Sequence, residues 1–237
     1  MIYDIAGLRI AIFNRLGYTQ RFCEKYLSDD QDSPVDVSVA VTDEEFYAEK
    51  AVSANFPDGY IENICLYRKI CQCLPVLNRM LLHSAVLEYD GNGYAFLGRS
   101  GTGKSTHTGL WLKYLPTTKI VNGDKPILEQ KENGFIAYGT PWMGKEGLGY
   151  NTSVPLKGLC FLEQAKENSI TRLTAKEAAA KVFLQVLMPS DEENATLTLE
   201  LIDKLINITP CYLLKCDISE EAVKTSFEAL TGQAYQA

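Results

Sequence analysis

Eight consecutive residues constrain this chain more than anything else in it. Gly98-Arg99-Ser100-Gly101-Thr102-Gly103-Lys104-Ser105, followed by Thr106, fits the phosphate-loop pattern GxxxxGK[ST]. The pattern works only between a strand and a helix, because its glycines let successive backbone N–H groups turn inward on phosphate oxygens while a helix N-terminus adds positive potential. The flanking sequence supplies both. Ala85-Val86-Leu87-Glu88-Tyr89 and Tyr94-Ala95-Phe96-Leu97 surround the turn residues Asp90-Gly91-Asn92-Gly93, which predicts a hairpin whose second strand runs straight into the loop. The following helix is expected from near Gly103 to Leu115-Pro116. In such a loop Lys104 meets the β- and γ-phosphates of a nucleotide, and the Ser105 hydroxyl ligates Mg²⁺.

A Mg²⁺-nucleotide site also wants an acid at the end of a neighbouring strand. Asp124 follows the apolar pair Ile120-Val121 and the dipeptide Asn122-Gly123, and is the first choice. Glu163, after the apolar run Leu159-Cys160-Phe161-Leu162, is the second. Further on, Gly139-Thr140-Pro141-Trp142-Met143-Gly144-Lys145-Glu146-Gly147-Leu148-Gly149 has four glycines, which predicts a mobile loop. Lys145 within it is a candidate for neutralising charge on a transferring phosphoryl group, and Trp142 for anchoring the loop or lining an acceptor pocket.

Elsewhere the periodicities give a coarse map. Leu8, Ile10 and Ile12, and then Val35, Val37, Val39 and Val41, alternate with polar or small residues as half-buried strands do. From Tyr60 to Leu82 apolar residues recur at helical spacing, with Pro75 dividing the stretch into two helices or a kinked one. Ile127-Leu128 and Phe135-Ile136-Ala137-Tyr138 predict a second hairpin, and Cys211-Tyr212-Leu213-Leu214 another strand. Three late helices are expected: one capped by Thr174 with Glu177, one by Ser190 with Glu193, and a last one capped by Asp217 with Glu220 and stopped at Gly232. The division implied is a small N-terminal α+β extension over residues 1–79 and a nucleotide core over 80–237.

Composition narrows the partners. The formal charge of -7 argues against nucleic acid or an anionic membrane surface, which select Lys and Arg. Any phosphate must be met by a local cluster of positive groups. Arg68, Lys69 and Arg79 interrupt the best apolar stretch, so no membrane span is expected. Seven cysteines with no signal peptide at Met1-Ile2-Tyr3-Asp4 point to a reducing, cytoplasmic setting. Cys65, Cys71 and Cys73 lie in an apolar run and are read as core residues rather than metal ligands.

In its order of parts the chain resembles the P-loop kinases related to HPr kinase/phosphorylase, which share a nucleotide core with phosphoenolpyruvate carboxykinase. Leu82-His83-Ser84-Ala85-Val86 enters the hairpin, the hairpin enters the loop, and a strand ending in an aspartate follows. The resemblance covers about residues 80–215. It implies an α/β fold whose mixed sheet carries a hairpin before the P-loop. It implies ATP and Mg²⁺ as cofactors, with Gly98 to Thr106 on the phosphates and Ser105 and Asp124 on the metal. His83 matches a histidine that in the family lies near the transferred phosphate, whereas His107, one turn into the helix, is read as structural. Two departures stand out. Gly123 replaces the first of the family's two adjacent aspartates, and the second signature, an acidic strand followed by Arg-Gly-Leu-Gly, is absent.

The expected function is an ATP- and Mg²⁺-dependent kinase that moves a γ-phosphate to a serine-type hydroxyl on a small protein, peptide or metabolite. Asp124, Lys104, His83 and Lys145 are the expected catalytic residues. The alternative is a non-catalytic nucleotide-binding scaffold of a peptide-modification system. Self-association is left open by the sequence.

Overall fold

The computed structural model describes residues 1–236. The chain begins as a hairpin, β1 (Ile2–Ile5) and β2 (Leu8–Phe13), turned at Ala6-Gly7, where both residues have positive φ. A short helix, α1 (Tyr18–Phe22), leads to β3 (Val37–Ala40), which pairs parallel to β2. Helices α2 (Asp43–Val52) and α3 (Asp58–Cys73) follow. α2 starts in a reciprocal capping box between Thr42 and Glu45, and its first turn carries three acids that complement the helix dipole. Leu66 and Ile70 on α3 are fully buried in one core with Tyr3, Ile5, Ile10 and Ile12 of the small sheet.

The helical periodicity continues past Pro75, but the structure does not follow it. Only a single 3₁₀ turn spans Pro75–Leu77, and Asn78 in the left-handed region then redirects the chain into β4 (Arg79–Leu81). The apolar run there is a fully buried strand, which spacing alone does not distinguish from a buried helix. Next come the hairpin β5 (Ser84–Tyr89) and β6 (Asn92–Leu97), helix α4 (Lys104–Tyr114), and strands β7 (Lys119–Asn122), β8 (Ile127–Lys131) and β9 (Gly134–Tyr138). β10 (Ser153–Gln164) is long and shared: its first half pairs with β9 and its second half with β12. The rest is β11 (Ser169–Leu173), α5 (Ala175–Phe183), α6 (Glu192–Ile208), β12 (Cys211–Cys216) and α7 (Glu220–Thr231).

These strands form a nine-stranded mixed sheet. β4 with β5 and β7 with β8 are two bent strands running antiparallel in one register. Leu81 faces Ile127, the Leu82 and Ser84 amides donate to the Pro126 and Asp124 carbonyls, and Val86 faces Asn122. β8 continues through β9 to β10, and β5 through β6 to the same β10, so the sheet curls back on itself. One apolar cluster lies between this sheet and α5 and α6. Another holds Trp111 of α4 against Phe96 and Phe227.

Two caps fall elsewhere than expected. α6 is capped by Asp191, which accepts from the Asn194 amide, rather than by Ser190; α7 is capped by Ser219 rather than by Asp217, whose carboxylate instead accepts from Ser219. In both places several Ser and Asp residues compete, and the one that reaches the third amide wins. The Thr174 and Glu177 capping box and the Gly232 stop form as expected.

Candidate active site

β6, β7 and β10 all run the same way, since β6 and β7 are each antiparallel to β5 and β10 is parallel to β6. Their C-terminal ends, together with the start of β5, therefore share one rim of the sheet, the place where α/β proteins gather ligands. Every turn at this rim carries residues of chemical interest.

The loop from Gly98 to Gly103 leaves β6 and enters α4. Gly101 and Gly103 have φ of 84° and 101°, values that side-chain-bearing residues rarely adopt, and Gly103 is the left-handed residue that opens the helix. Thr102 folds back onto the Arg99 carbonyl through its amide (3.2 Å) and hydroxyl (2.9 Å). Lys104 is half-buried and donates to the Gly98 carbonyl at 2.7 Å, which closes the loop beneath its own ammonium. Ser105 and Thr106 stand exposed on the first turn, which holds no acidic residue to cancel the helix N-terminal potential. Arg99 and Ser100 are exposed at the loop tip, and Gln164, at the end of β10, donates to the Gly101 carbonyl at 3.2 Å.

Asp124 lies in the turn after β7. His83 Nε2 sits 3.0 Å from Asp124 Oδ1, and Lys125 Nζ donates to Oδ2 at 2.7 Å. Burial pushes this carboxyl up, but the bonds from His83 and Lys125 outweigh it and hold it at about 2. Burial in turn lowers the Lys104 pKa; Asp124 opposes that shift and Lys125 adds to it, which marks all three as one electrostatic group. The turn itself is rigid. Asn122, fully buried, accepts from the amides of Asp124 (2.9 Å) and Lys125 (2.7 Å) and donates to Thr140, whose hydroxyl bonds the Lys125 carbonyl at 2.7 Å. The His83 amide donates to the Gln185 carbonyl at 2.7 Å, fixing the other side.

The glycine-rich segment 139–149 is not a free loop. Its end is sewn to β7: the Gly123 amide donates to the Leu148 carbonyl, the Tyr150 amide to the Val121 carbonyl, and Gly149 bridges Asn122. The glycines here serve close packing. A Cβ on Gly139 would stand 1.8 Å from the Tyr150 carbonyl oxygen, and one on Gly123 would stand 2.9 Å from that of Met143. Gly123 is thus a position where the strap's backbone fills the space that a side chain would need. Trp142 is buried, donates to Asn63 of α3 at 3.0 Å and packs on Tyr67. Lys145 is exposed on the strap.

The structure thus gathers Lys104, Asp124 and His83 with the loop at one rim. Glu163 is exposed and faces Lys181 at 3.5 Å instead. His107 is buried against Phe96, with Nε2 3.0 Å from Ser226 Oγ, and burial lowers its pKa to about 4. It is a core residue. Cys65 and Cys71 are buried in the α3 core and Cys73 is partly exposed. Among the described residues there is no group of three or more His, Cys, Asp or Glu side chains placed to hold a metal, and no helix is long and apolar enough to cross a membrane. Sequence reasoning missed Lys125 and Asn122. Their signal was adjacency to Asp124 in Asn122-Gly123-Asp124-Lys125.

A strand, a glycine-rich loop and a helix faced by lysines, a carboxylate and an imidazole define the class of site. The family model described as "SynChlorMet cassette protein ScmC" matches residues 61–225, most of the chain, and the chain belongs to that family. No curated protein matches. Among solved structures, the Hpr(Ser) kinase/phosphatase from Coxiella burnetii is similar over 52% of this chain and 93% of its own, at 14% identity and a TM-score of 0.28. A likeness of that extent adds nothing to the geometry above.

Proposed function

We propose that this protein is an ATP- and Mg²⁺-dependent phosphotransferase that delivers a γ-phosphate to a hydroxyl group of a small protein, peptide or metabolite, acting within the cassette for which its family is named. The observation that carries this reading is the convergence of the Gly98–Gly103 loop, Lys104, Asp124 and His83 on one rim. The α4 N-terminus and the loop amides receive the triphosphate, and Lys104 leaves the Gly98 carbonyl for its oxygens. A Mg²⁺ ion fits the oxygen donors present, the exposed Ser105 hydroxyl and Asp124, because Mg²⁺ uses one or two protein oxygens plus phosphate and water. Each Asp124 oxygen keeps a lone-pair site beyond the bond it already accepts. When bound, the ion supplies Lewis-acid neutralisation of the phosphates.

A carboxylate held as low as Asp124 is a weak base, so its role in this reading is to orient. It receives the His83 Nε2 proton and leaves Nδ1 of that ring to accept from an incoming hydroxyl. Lys145 is exposed on a strap that is already folded against Gly123, and in this reading it would meet charge on the phosphoryl group. One observation favours a second reading, a nucleotide-binding scaffold without transfer: the position of an additional carboxylate is taken by Gly123 and the strap backbone.

The test is calorimetric titration of the purified protein with ATP and Mg²⁺, followed by γ-phosphate transfer to hydroxyl-bearing peptides. Binding that Lys104→Ala weakens by at least about tenfold is expected, since a charge-assisted contact is lost. No binding by the wild type overturns both readings. Binding without transfer to any acceptor leaves the scaffold.

A further inference from the structure

Lys125 is a cation bonded directly to Asp124 that the loop pattern does not account for. We propose that Lys125 is a phosphate-binding residue of this site and that it competes with Mg²⁺ for Asp124. The inference rests on the nucleotide-binding part of the reading above, but not on phosphoryl transfer.

Three observations carry it. Lys125 is held for the purpose: its amide is fixed on Asn122, its carbonyl accepts from Thr140, and the Asn122 and Thr140 side chains are fully buried, so its Cα has no freedom to drift from the rim. Its ammonium lies on Asp124 Oδ2, the carboxylate oxygen not taken by His83, at 2.7 Å, and remains partly open to solvent. And it lies near enough to Lys104 for the two charges to repel. Asp124 carries one negative charge against the two positive charges of these lysines. Lys104 hydrogen-bonds only the Gly98 carbonyl among the described residues, and a triphosphate at the loop would offset its charge.

Gly123 adds a charge argument. Where a second carboxylate next to Asp124 would raise the demand for divalent cation, this chain has the strap backbone at Gly123 and a positive charge at Lys125. Lys104, Lys125 and Asp124 together carry one net positive charge before any metal enters, to which the strap residues Lys145 and Glu146 add one charge of each sign. Such a site takes Mg²⁺-free ATP more readily than one whose only protein cation is the loop lysine. Because Lys125 and the metal use the same carboxylate, removing the lysine frees Asp124 for the ion.

Titration of the full chain with ATP, in EDTA and over a Mg²⁺ series, separates the outcomes. In Lys125→Met the affinity for Mg²⁺-free ATP is expected to fall about tenfold to a hundredfold, and the Mg²⁺ concentration needed for half-maximal binding is expected to fall as well. Lys125→Arg, which keeps the charge, retains Mg²⁺-free binding within a few-fold of the wild type; it also serves should the Met variant not fold. Wild-type affinity in Lys125→Met, or an equal loss in Lys125→Arg and Lys125→Met, overturns the proposal. If the wild type binds neither form of ATP, the nucleotide reading fails and this inference with it. If the wild type binds and only the Lys125 variants behave alike, this inference fails alone.

Discussion

Two carboxylates five residues apart on the same bent strand, Asp124 and Glu129, are each held by two nitrogen donors, His83 and Lys125 for the first and Arg79 and Lys131 for the second, yet they do opposite things. Glu129 is buried, with Arg79 and Lys131 each 2.7 Å from its Oε1 and the Tyr138 hydroxyl donating to Oε2 at the same distance. Arg79 also donates from Nε and Nη1 to the carbonyls of Ala6 and Leu77, so the pair locks the turn of the first hairpin onto the large sheet. Asp124 is more exposed, and its partners His83 and Lys125 have capacity left at an open rim. Ion pairing alone does not separate a structural joint from a reactive site. The difference lies in burial of the carboxylate and its main partner: Glu129 and Arg79 are 7% and 10% exposed, Asp124 and Lys125 27% and 26%.

That comparison is sharpened most by Asp124→Asn. Asn retains a hydrogen bond to His83 but not the charge, so phosphoryl transfer is expected to drop by at least about a thousandfold, as for other losses of a charge aimed at the reacting centre. The thermal midpoint should fall by less than it does when the buried joint is broken, because Asp124 and its partners are partly exposed and can be hydrated. A transfer assay and a melting curve on the same sample check both halves, and a large fall in melting temperature would erase the distinction from Glu129. The reverse is expected at the joint. Arg79→Met leaves Glu129 buried with one cation fewer and two carbonyls unpaired, at a cost of about 3–5 kcal/mol in urea unfolding. The nucleotide affinity of whatever fraction remains folded should be unchanged.

How much of this was legible in the sequence depended on whether the cause was local. The hairpin, the loop, α4 and Asp124 at a strand end all follow from neighbours in the chain, because turn chemistry and the phosphate pattern act within a few residues. Glu129 gave no sign of being a joint, since its partner Arg79 is fifty residues earlier and meets it only when β4 pairs with β8. The same pairing brings His83 to Asp124, which only the family resemblance suggested. β4 itself was misread as helix because it is buried on all sides and shows no alternation. The glycines of 139–149 suggested mobility, but Gly123 and Gly139 are glycine because backbone passes within contact distance, and only the fold reveals that.

His107 extends the comparison to a group with no ionic partner. Burial keeps its imidazole neutral and lowers its pKa from 6.5 to about 4. The unfolded chain therefore binds the proton more readily between those values, and stability present above pH 6.5 is lost as pH falls toward about 4, by up to about 3 kcal/mol. Asp124, whose pKa is lowered instead, adds its own loss only at more acidic pH, as pH falls through its ordinary carboxylate value toward about 2. Urea midpoints measured from pH 7 to pH 4 should thus slope downward in the wild type and flatten in His107→Gln, while Asp124→Asn keeps the slope. An unchanged slope in His107→Gln would place the acid sensitivity elsewhere.

Trp142 ties the two regions together, and the effect of changing it is expected to be the smallest. Its indole N–H reaches Asn63 on α3, while the strap that follows it covers Gly123 beside Asp124. Trp142→Phe keeps the ring against Tyr67 but leaves the Asn63 carbonyl oxygen without this donor, a loss of about 1–2 kcal/mol. Asn63 also bonds Thr19, so its position should survive. If the strap positions the rim, nucleotide affinity falls with this variant by a few-fold while Arg79→Met leaves it unchanged. If affinity is untouched and only the unfolding midpoint moves, Trp142 belongs with Glu129 as part of the joint, and the rim is held by Asn122 and Thr140 alone.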